Sequence, residues 1–464
     1  MTLSNSLASR DIANLIHPYT NLDRHQTEGP FVIRRGEGCY VEDDRGRRYL
    51  EAMAGLWSAS LGFSEPRLAA AAARQLEQLP YSHLFAHRST EPAIALAEKL
   101  LSLAPEGLTK ALFANSGSEA NDQAIKLVWY YHNAIGRPDK KKLIGRVRGY
   151  HGVTIAAASL TGLPANHQDF DLPLPGFLHA DCPSHYHFGE PGESAAAFTA
   201  RMVANLEALI EREGPDTIGA FFAEPVQGAG GVIVPPQGYF EAVQEVLRQH
   251  EILFVVDEVI TGFGRTGNLF GCETYGLKPD MMNVAKALSA SFLPISATLV
   301  SDRVHEAMLA ESRKLGTFGH GFTYSGHPVC AAVALETLAI YEERDIVGHV
   351  RAVAPRFQAR LRALADHPLV GEARGVGLIG ALEITQDKTR RLAFDAALGV
   401  PAAIQAATLD EGVIVRALRD TVAICPPLII SEAEIDIVFD ALGRGLDKVW
   451  AALDRASRGA ATAT

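Results

Sequence analysis

The chain has 464 residues, 47% of them hydrophobic, and a formal net charge of −11. That length exceeds most single domains and can bury a sizeable core. The acidic balance, without any compensating basic run, argues against nucleic acid or an anionic membrane as a partner and points to small molecules or further copies of the chain.

Five cysteines, Cys39, Cys182, Cys272, Cys330 and Cys425, share no C-x-x-C pair and no repeated spacing. Neither a disulfide framework nor a zinc site is expected from them, and no metal site is predicted. The N-terminal MTLSNSLASRDIANLIHPYT lacks a basic start followed by an apolar core, and no apolar run reaches the length of a bilayer span. The expectation is a soluble cytoplasmic protein.

GCYVEDDRGRRYLEAMAG predicts two short strands, around Tyr40 and Tyr49, joined at the turn Asp44-Arg45-Gly46. The hairpin falls in residues 1–64, an N-terminal segment of a small domain. From Glu65 the pattern changes to the helices PRLAAAAARQLEQL and EPAIALAEKLLSLA. The apolar runs TKALFAN, KKLIGRV, IGAFFAEP, ILFVVDEV and ATLVS follow, separated by helical segments. Alternating strands and helices predict an α/β large domain over 65–330, with a mostly parallel sheet covered on both faces.

In one unit, the amphipathic GYFEAVQEVLRQH links IGAFFAEP to ILFVVDEV. This βαβ pattern sets Glu224 and Asp257 near the carboxyl ends of neighbouring strands, the edge at which open α/β sheets bind ligands. After Ala331 come long helices and then the strand-like VIVRALRD and TVAICPP, read as a smaller C-terminal domain over 331–464. The tail DRASRGAATAT has the composition of a disordered end.

Four features carry chemistry. In LFANSGSEANDQAIKLVW, Ser116 and Glu119 have capping-box spacing, so a helix should begin there. Its first turn offers the N–H groups of Gly117 and Ser118, with the Ser118 hydroxyl, to an anion, although a plain cap explains the same letters. In GYHG, Tyr150 follows a strand and could either stack on a flat ligand or be an ordinary core aromatic. In VVDEVITGFGRTG, Asp257 directly follows a buried strand, where a carboxylate needs a partner such as Arg265 or a cationic ligand. The fourth is Lys286, the one fully charged residue in MMNVAKALSASFLPISATLVS. A desolvated lysine is a neutral amine nucleophile at ordinary pH. Pyridoxal 5′-phosphate (PLP) uses all four: an anion site, a carboxylate for its ring nitrogen, a flat neighbour and a Schiff-base lysine.

SGSEAND, GYHGVT, EPVQGAGG, VVDEVITGFGRTG, NVAKALS and GFTYSGHPVCAAVALE, in this order, resemble the class III aminotransferases of fold-type I PLP enzymes. The likeness extends from HPYTNL to ICPPLII. It implies that Lys286 forms the internal aldimine and shuttles a proton, that Asp257 pairs with the pyridine nitrogen, and that Val259 and Tyr150 flank the ring. It also implies phosphate binding by Gly117 and Ser118, a pocket position for Glu224, and delivery of Phe322 and Thr323 to a neighbouring subunit's phosphate. A homodimer, or a tetramer, with shared active sites follows.

The chain departs from the pattern at several positions. Ala287 and Ala290 stand where many relatives carry glycine. Ile260 replaces a glutamine, and Ala423 replaces the arginine that binds the glutamate carboxylate in the ornithine and 4-aminobutyrate members. The remaining resemblance is to the amine:pyruvate branch, the ω-transaminases. It implies a mobile Arg416 for a substrate carboxylate, Leu56, Trp57 and Phe85 in the substrate pocket, and room beside the cofactor at Ala229. The expected reaction is ping-pong transfer of an amino group from a primary amine or ω-amino acid to pyruvate. The alternative is a racemase or aminomutase on the same fold.

Overall fold

The computed structural model describes residues 6–461. After the short helices Leu7–Asn14 and Leu22–Glu28, the chain forms β1 (Ile33–Glu37), β2 (Tyr40–Asp43) and β3 (Arg48–Glu51), an antiparallel meander. The β2–β3 turn closes because Asp43 accepts hydrogen bonds from the backbone N–H groups of Arg45 and Arg47, while Gly46 takes φ +81°.

The central sheet contains β4 (Leu108–Ala114), β5 (Lys142–Arg146), β6 (Phe177–Ala180), β7 (Ile218–Ala223), β8 (Leu253–Asp257), β9 (Met281–Val284) and β10 (Ser296–Ser301). Its order is β4-β10-β9-β8-β7-β5-β6, with β10 antiparallel to both neighbours and the pairs from β9 to β6 parallel. Every residue of β7 and β8 is buried, so these strands read as continuous apolar runs because helices cover both faces. The helix Tyr239–Gln249 makes the β7–β8 crossover and buries Phe240, Val243 and Leu247 on one face.

A third sheet, in the order β11-β12-β15-β14, is built from β11 (Val370–Val376), β12 (Ile379–Ile384), β14 (Arg416–Leu418) and β15 (Thr421–Ile424). The two-residue β13 (Val413–Ile414) instead pairs parallel with β3, joining the N-terminal meander to the C-terminal segment.

Four expectations change. VIVRALRD is two strands in two sheets, broken at Val415. β6, β9 and the β11–β12 hairpin were not anticipated. The boundary at 330/331 falls inside the helix Pro328–Glu343, which packs on the helices Pro66–Gln78 and Glu91–Leu103 and on the turn Lys286–Ser289, so its contacts belong with the large domain. The tail is not irregular from Asp454, because the helix Glu432–Ala461 continues through it; residues 462–464 lie outside the described residues.

Candidate active site

The carboxyl ends of five strands converge on one cavity of about 860 Å³. From β4 the chain enters the helix Gly117–Ala134. Ser116 caps it by accepting the Glu119 N–H at 3.2 Å, and the Glu119 carboxylate accepts the Asn115 N–H at 2.7 Å, one residue earlier than in a standard capping box. The first-turn N–H groups of Gly117 and Ser118 have no helical acceptor, and both residues line the cavity. A Cβ on Gly117 would come within 3.0 Å of Val259, and one on Gly152, at φ +134°, would overlap the Ser118 hydroxyl at 2.5 Å. Glycine therefore permits this close approach of three chain segments.

β8 delivers Asp257 to the cavity floor, 4% exposed. Its Oδ2 accepts from Asn121 Nδ2 and His151 Nδ1, each at 2.8 Å, and its Oδ1 accepts from the Val259 N–H at 3.1 Å. Arg265 is not its partner; that guanidinium donates to the carbonyls of Leu378 and Pro426. Sequence reasoning missed Asn121 and His151. Asn121 lies one helical turn from Gly117 in SGSEAND, and His151 follows Tyr150 in GYHG, so a polar residue on a buried face was the available signal.

The Glu224 carboxylate accepts the N–H groups of Tyr150 at 2.9 Å and Gly228 at 3.0 Å, tying two cavity loops together. Burial pushes its pKa up. Lys286 follows β9 at φ +48°. Burial pushes its amine down, with the Asp257 and Glu224 carboxylates opposing, and no group among the described residues makes a hydrogen bond or ion pair to it. It is an unpaired amine poised as a nucleophile.

Leu56, Trp57, Ala229 and Arg416 line the same cavity. Trp57, at φ +64°, is also a core residue, packed with Met53, Val226, Ile260 and Ala423. The Arg416 side chain is half-buried and unpaired among the described residues; burial pushes its pKa down, partly offset by Tyr150 and Tyr19. Arg416 lies directly across the β14–β15 ladder from Ala423.

Phe85, Phe322 and Thr323 are not in this cavity. Phe85 is exposed in a separate groove against Gly321, so within one chain it does not stand beside Trp57. The Thr323 carbonyl accepts the Tyr81 hydroxyl nearby at 2.9 Å, and its side chain is exposed.

A family profile for aminotransferase class-III matches residues 22–446. The chain belongs to this family. It is 51% identical over 452 residues to gamma aminobutyrate transaminase 3, chloroplastic, of Solanum lycopersicum, covering 96% of this chain and 87% of that protein. It is 50% identical over 433 residues to the mitochondrial gamma-aminobutyrate transaminase 1 of Oryza sativa subsp. indica, covering 93% and 84%. Among solved structures, the omega transaminase from Pseudomonas jessenii in complex with PMP superposes with a TM-score of 0.94 at 52% identity, covering 96% of this chain and 98% of that one. A transaminase described with L-ala gives 0.90 at 56% identity, covering 91% and 100%.

The fold is thus the fold-type I architecture of PLP enzymes, and the cofactor is PLP. The residues present suit it. An unpaired, half-buried amine, a hydrogen-bonded carboxylate at the floor and N–H donors at a helix start meet in one cavity, and His151 Nε2 is buried without a partner. Bound there, PLP supplies a carbonyl for the amine and an electron-withdrawing ring.

Proposed function

We propose that the protein moves an amino group from a primary amine or ω-amino acid to pyruvate. The observation that carries this is the exchange across the β14–β15 ladder. Where carboxylate-binding relatives have an arginine, Ala423 is wholly buried in an apolar cluster, and the cavity's half-buried, unpaired guanidinium belongs to its cross-strand partner Arg416. A guanidinium without an internal partner is available for a bidentate pair with a small ketoacid. Ile260 adds apolar wall beside it. The L-ala complex of a 56%-identical transaminase supports alanine and pyruvate as the acceptor couple. The gamma-aminobutyrate transaminases support an ω-amino acid within the donor class.

In this scheme Gly117 and Ser118 hold the cofactor's phosphate, Val259 and Tyr150 flank its ring, and Asp257 keeps a proton on the ring nitrogen. Asn121 and His151 fix the Asp257 carboxylate. Lys286 Nζ moves the proton at the substrate carbon, and Leu56, Trp57 and Ala229 shape the space for the donor. Phe85, Phe322 and Thr323, exposed or half-buried outside the cavity, act on the site of a second copy in a homodimer.

A panel of 4-aminobutyrate, aryl amines and alkyl amines against pyruvate and 2-oxoglutarate tests the assignment. Alanine formation from pyruvate, coupled to aldehyde or ketone release, is the expected result, and a preference for 2-oxoglutarate would refute it. Sedimentation should find a dimer, and a fully active monomer would remove the partner role of Thr323.

A further inference from the structure

The HPYTNL segment near the N-terminus takes no part in the chemistry above, yet the fold gathers ligand-type side chains around it. Asp11 lies on the helix Leu7–Asn14, His17 on the connection after it, and His25 on the helix Leu22–Glu28. His17 Nε2 stands 2.8 Å and His25 Nε2 3.0 Å from the same oxygen, Asp11 Oδ1. All three donor atoms lie within 4.8 Å of one another. The two imidazole ring centroids are 4.2 Å apart with planes tilted by 39°, and each ring presents its Nε2 to the carboxylate.

The spacing suits a metal ion. Zn–N and Zn–O bonds of about 2.0–2.2 Å set tetrahedral ligands about 3.3 Å apart, so small outward shifts of the two rings would admit a cation. Two imidazole nitrogens and one carboxylate oxygen match zinc-type ions and not the all-oxygen shells of calcium or magnesium. His25 is almost fully buried, while His17 keeps 30% of its side chain exposed, leaving a path for the ion and a fourth position for water. The cysteine pattern could not show this site, because it contains no cysteine.

We propose that Asp11, His17 and His25 bind one divalent transition-metal cation of the zinc type, which cross-links the two N-terminal helices and the connection between them into one rigid strap. Tyr19, two residues beyond His17, accepts a hydrogen bond from Asn166 Nδ2 at 2.6 Å and lines the active-site cavity. The ion would therefore hold the strap that carries Tyr19 to the cavity mouth.

The test uses untagged holoenzyme, treated with chelator and titrated with Zn2+ by calorimetry and with Co2+ by visible spectroscopy. One equivalent per chain, the d–d bands of low-coordinate Co2+ and a Zn2+-dependent rise in Tm are expected. His17→Ala and the size-conserving Asp11→Asn should each weaken binding at least tenfold, since even the outer partners of metal ligands are worth about 10–100-fold. Both variants should keep the cofactor's absorbance. Wild-type enzyme that binds neither ion would show a histidine–aspartate hydrogen-bond cluster only. Unchanged affinity in both variants would locate the ion elsewhere. Either result overturns the proposal.

Discussion

Replacing Arg416 by alanine divides the two half-reactions. In the proposed reaction a donor such as an aryl amine has no carboxylate, whereas pyruvate has one, and both would occupy the same cavity in turn. The Arg416 side chain makes no hydrogen bond or ion pair among the described residues, so its removal leaves no internal group orphaned. Folding stability should therefore change by no more than about 0.5 kcal/mol. A bidentate guanidinium–carboxylate pair consists of two charge-assisted hydrogen bonds of about 1.5–3 kcal/mol each. Because the side chain is only half-buried, solvent screening reduces the sum to about 2–4 kcal/mol. At about 1.4 kcal/mol per factor of ten, kcat/KM for pyruvate should fall about 30- to 700-fold. Stopped-flow measurement of each half-reaction, followed through the cofactor's absorbance, reads the two effects separately. The aryl-amine half-reaction should stay within about twofold, well under the tenfold that 1.4 kcal/mol represents. Equal damage to both halves would mean that Arg416 supports the fold, and no damage to either would put the carboxylate site elsewhere.

Other expectations follow from the same geometry. Lys286→Ala should abolish turnover and the visible absorbance of bound cofactor, and borohydride reduction with peptide mapping should label Lys286; a label on another lysine would refute the site. Asn121→Ala removes the donor to Asp257 Oδ2 and to the His151 carbonyl and strands Asn283 Nδ2, which now donates to Asn121 at 2.9 Å. Urea unfolding should show a loss of about 3–5 kcal/mol, and a loss near zero would contradict the network. Burial pushes the Glu51 carboxyl up to about 7, against the N–H groups of Gly55 and Met53 that favour its ionised form. The folded chain holds an extra proton between the ordinary value of 4.5 and about 7, so stability falls as pH rises through that window, by at most about 3 kcal/mol. The stability difference between wild type and Glu51→Gln should change across the same window, and a pH-independent difference would refute the assignment.

The sequence was most legible where one physical cause dominates. β7 and β8 are wholly buried, and their apolar runs end in Ala223 and Asp257, so the active edge of the sheet could be read directly. MMNV is as buried as they are, but it runs on into AKALS without a turn residue, and β9 was hidden in the connection to Lys286. VIVRALRD carries one uninterrupted strand signal, although its halves bond to different sheets; partner choice is long-range and leaves no local mark. The partners of Asp257 were missed for a related reason. Asn121 and His151 reach it from 136 and 106 residues away, and nothing in SGSEAND or GYHG specifies a destination. Phe85 was expected beside Trp57, but within one chain it lies in a separate groove against Gly321, a placement set by long-range packing that leaves no mark on HLFAHR.

The absent glycines around Lys286 connect these levels. Lys286, Ala290 and Ser291 have φ of +48°, +48° and +67°, a left-handed conformation that glycine adopts freely and other residues adopt at about 1–2 kcal/mol each. Such a turn persists only when its surroundings over-determine it. Here the Tyr341 hydroxyl, from the helix Pro328–Glu343, donates to the Ala287 carbonyl at 2.5 Å, and the Ser289 hydroxyl donates to the Leu293 carbonyl at 2.5 Å. Ala287 and Leu288 are buried in the main core. With side chains rather than glycine at Ala287 and Ala290, the turn has fewer alternative conformations, and packing outside the cavity holds the backbone that aims the Lys286 amine. The helix misassigned to the small domain is thus one of the elements that orient the nucleophile, which explains why its contacts run to the large domain.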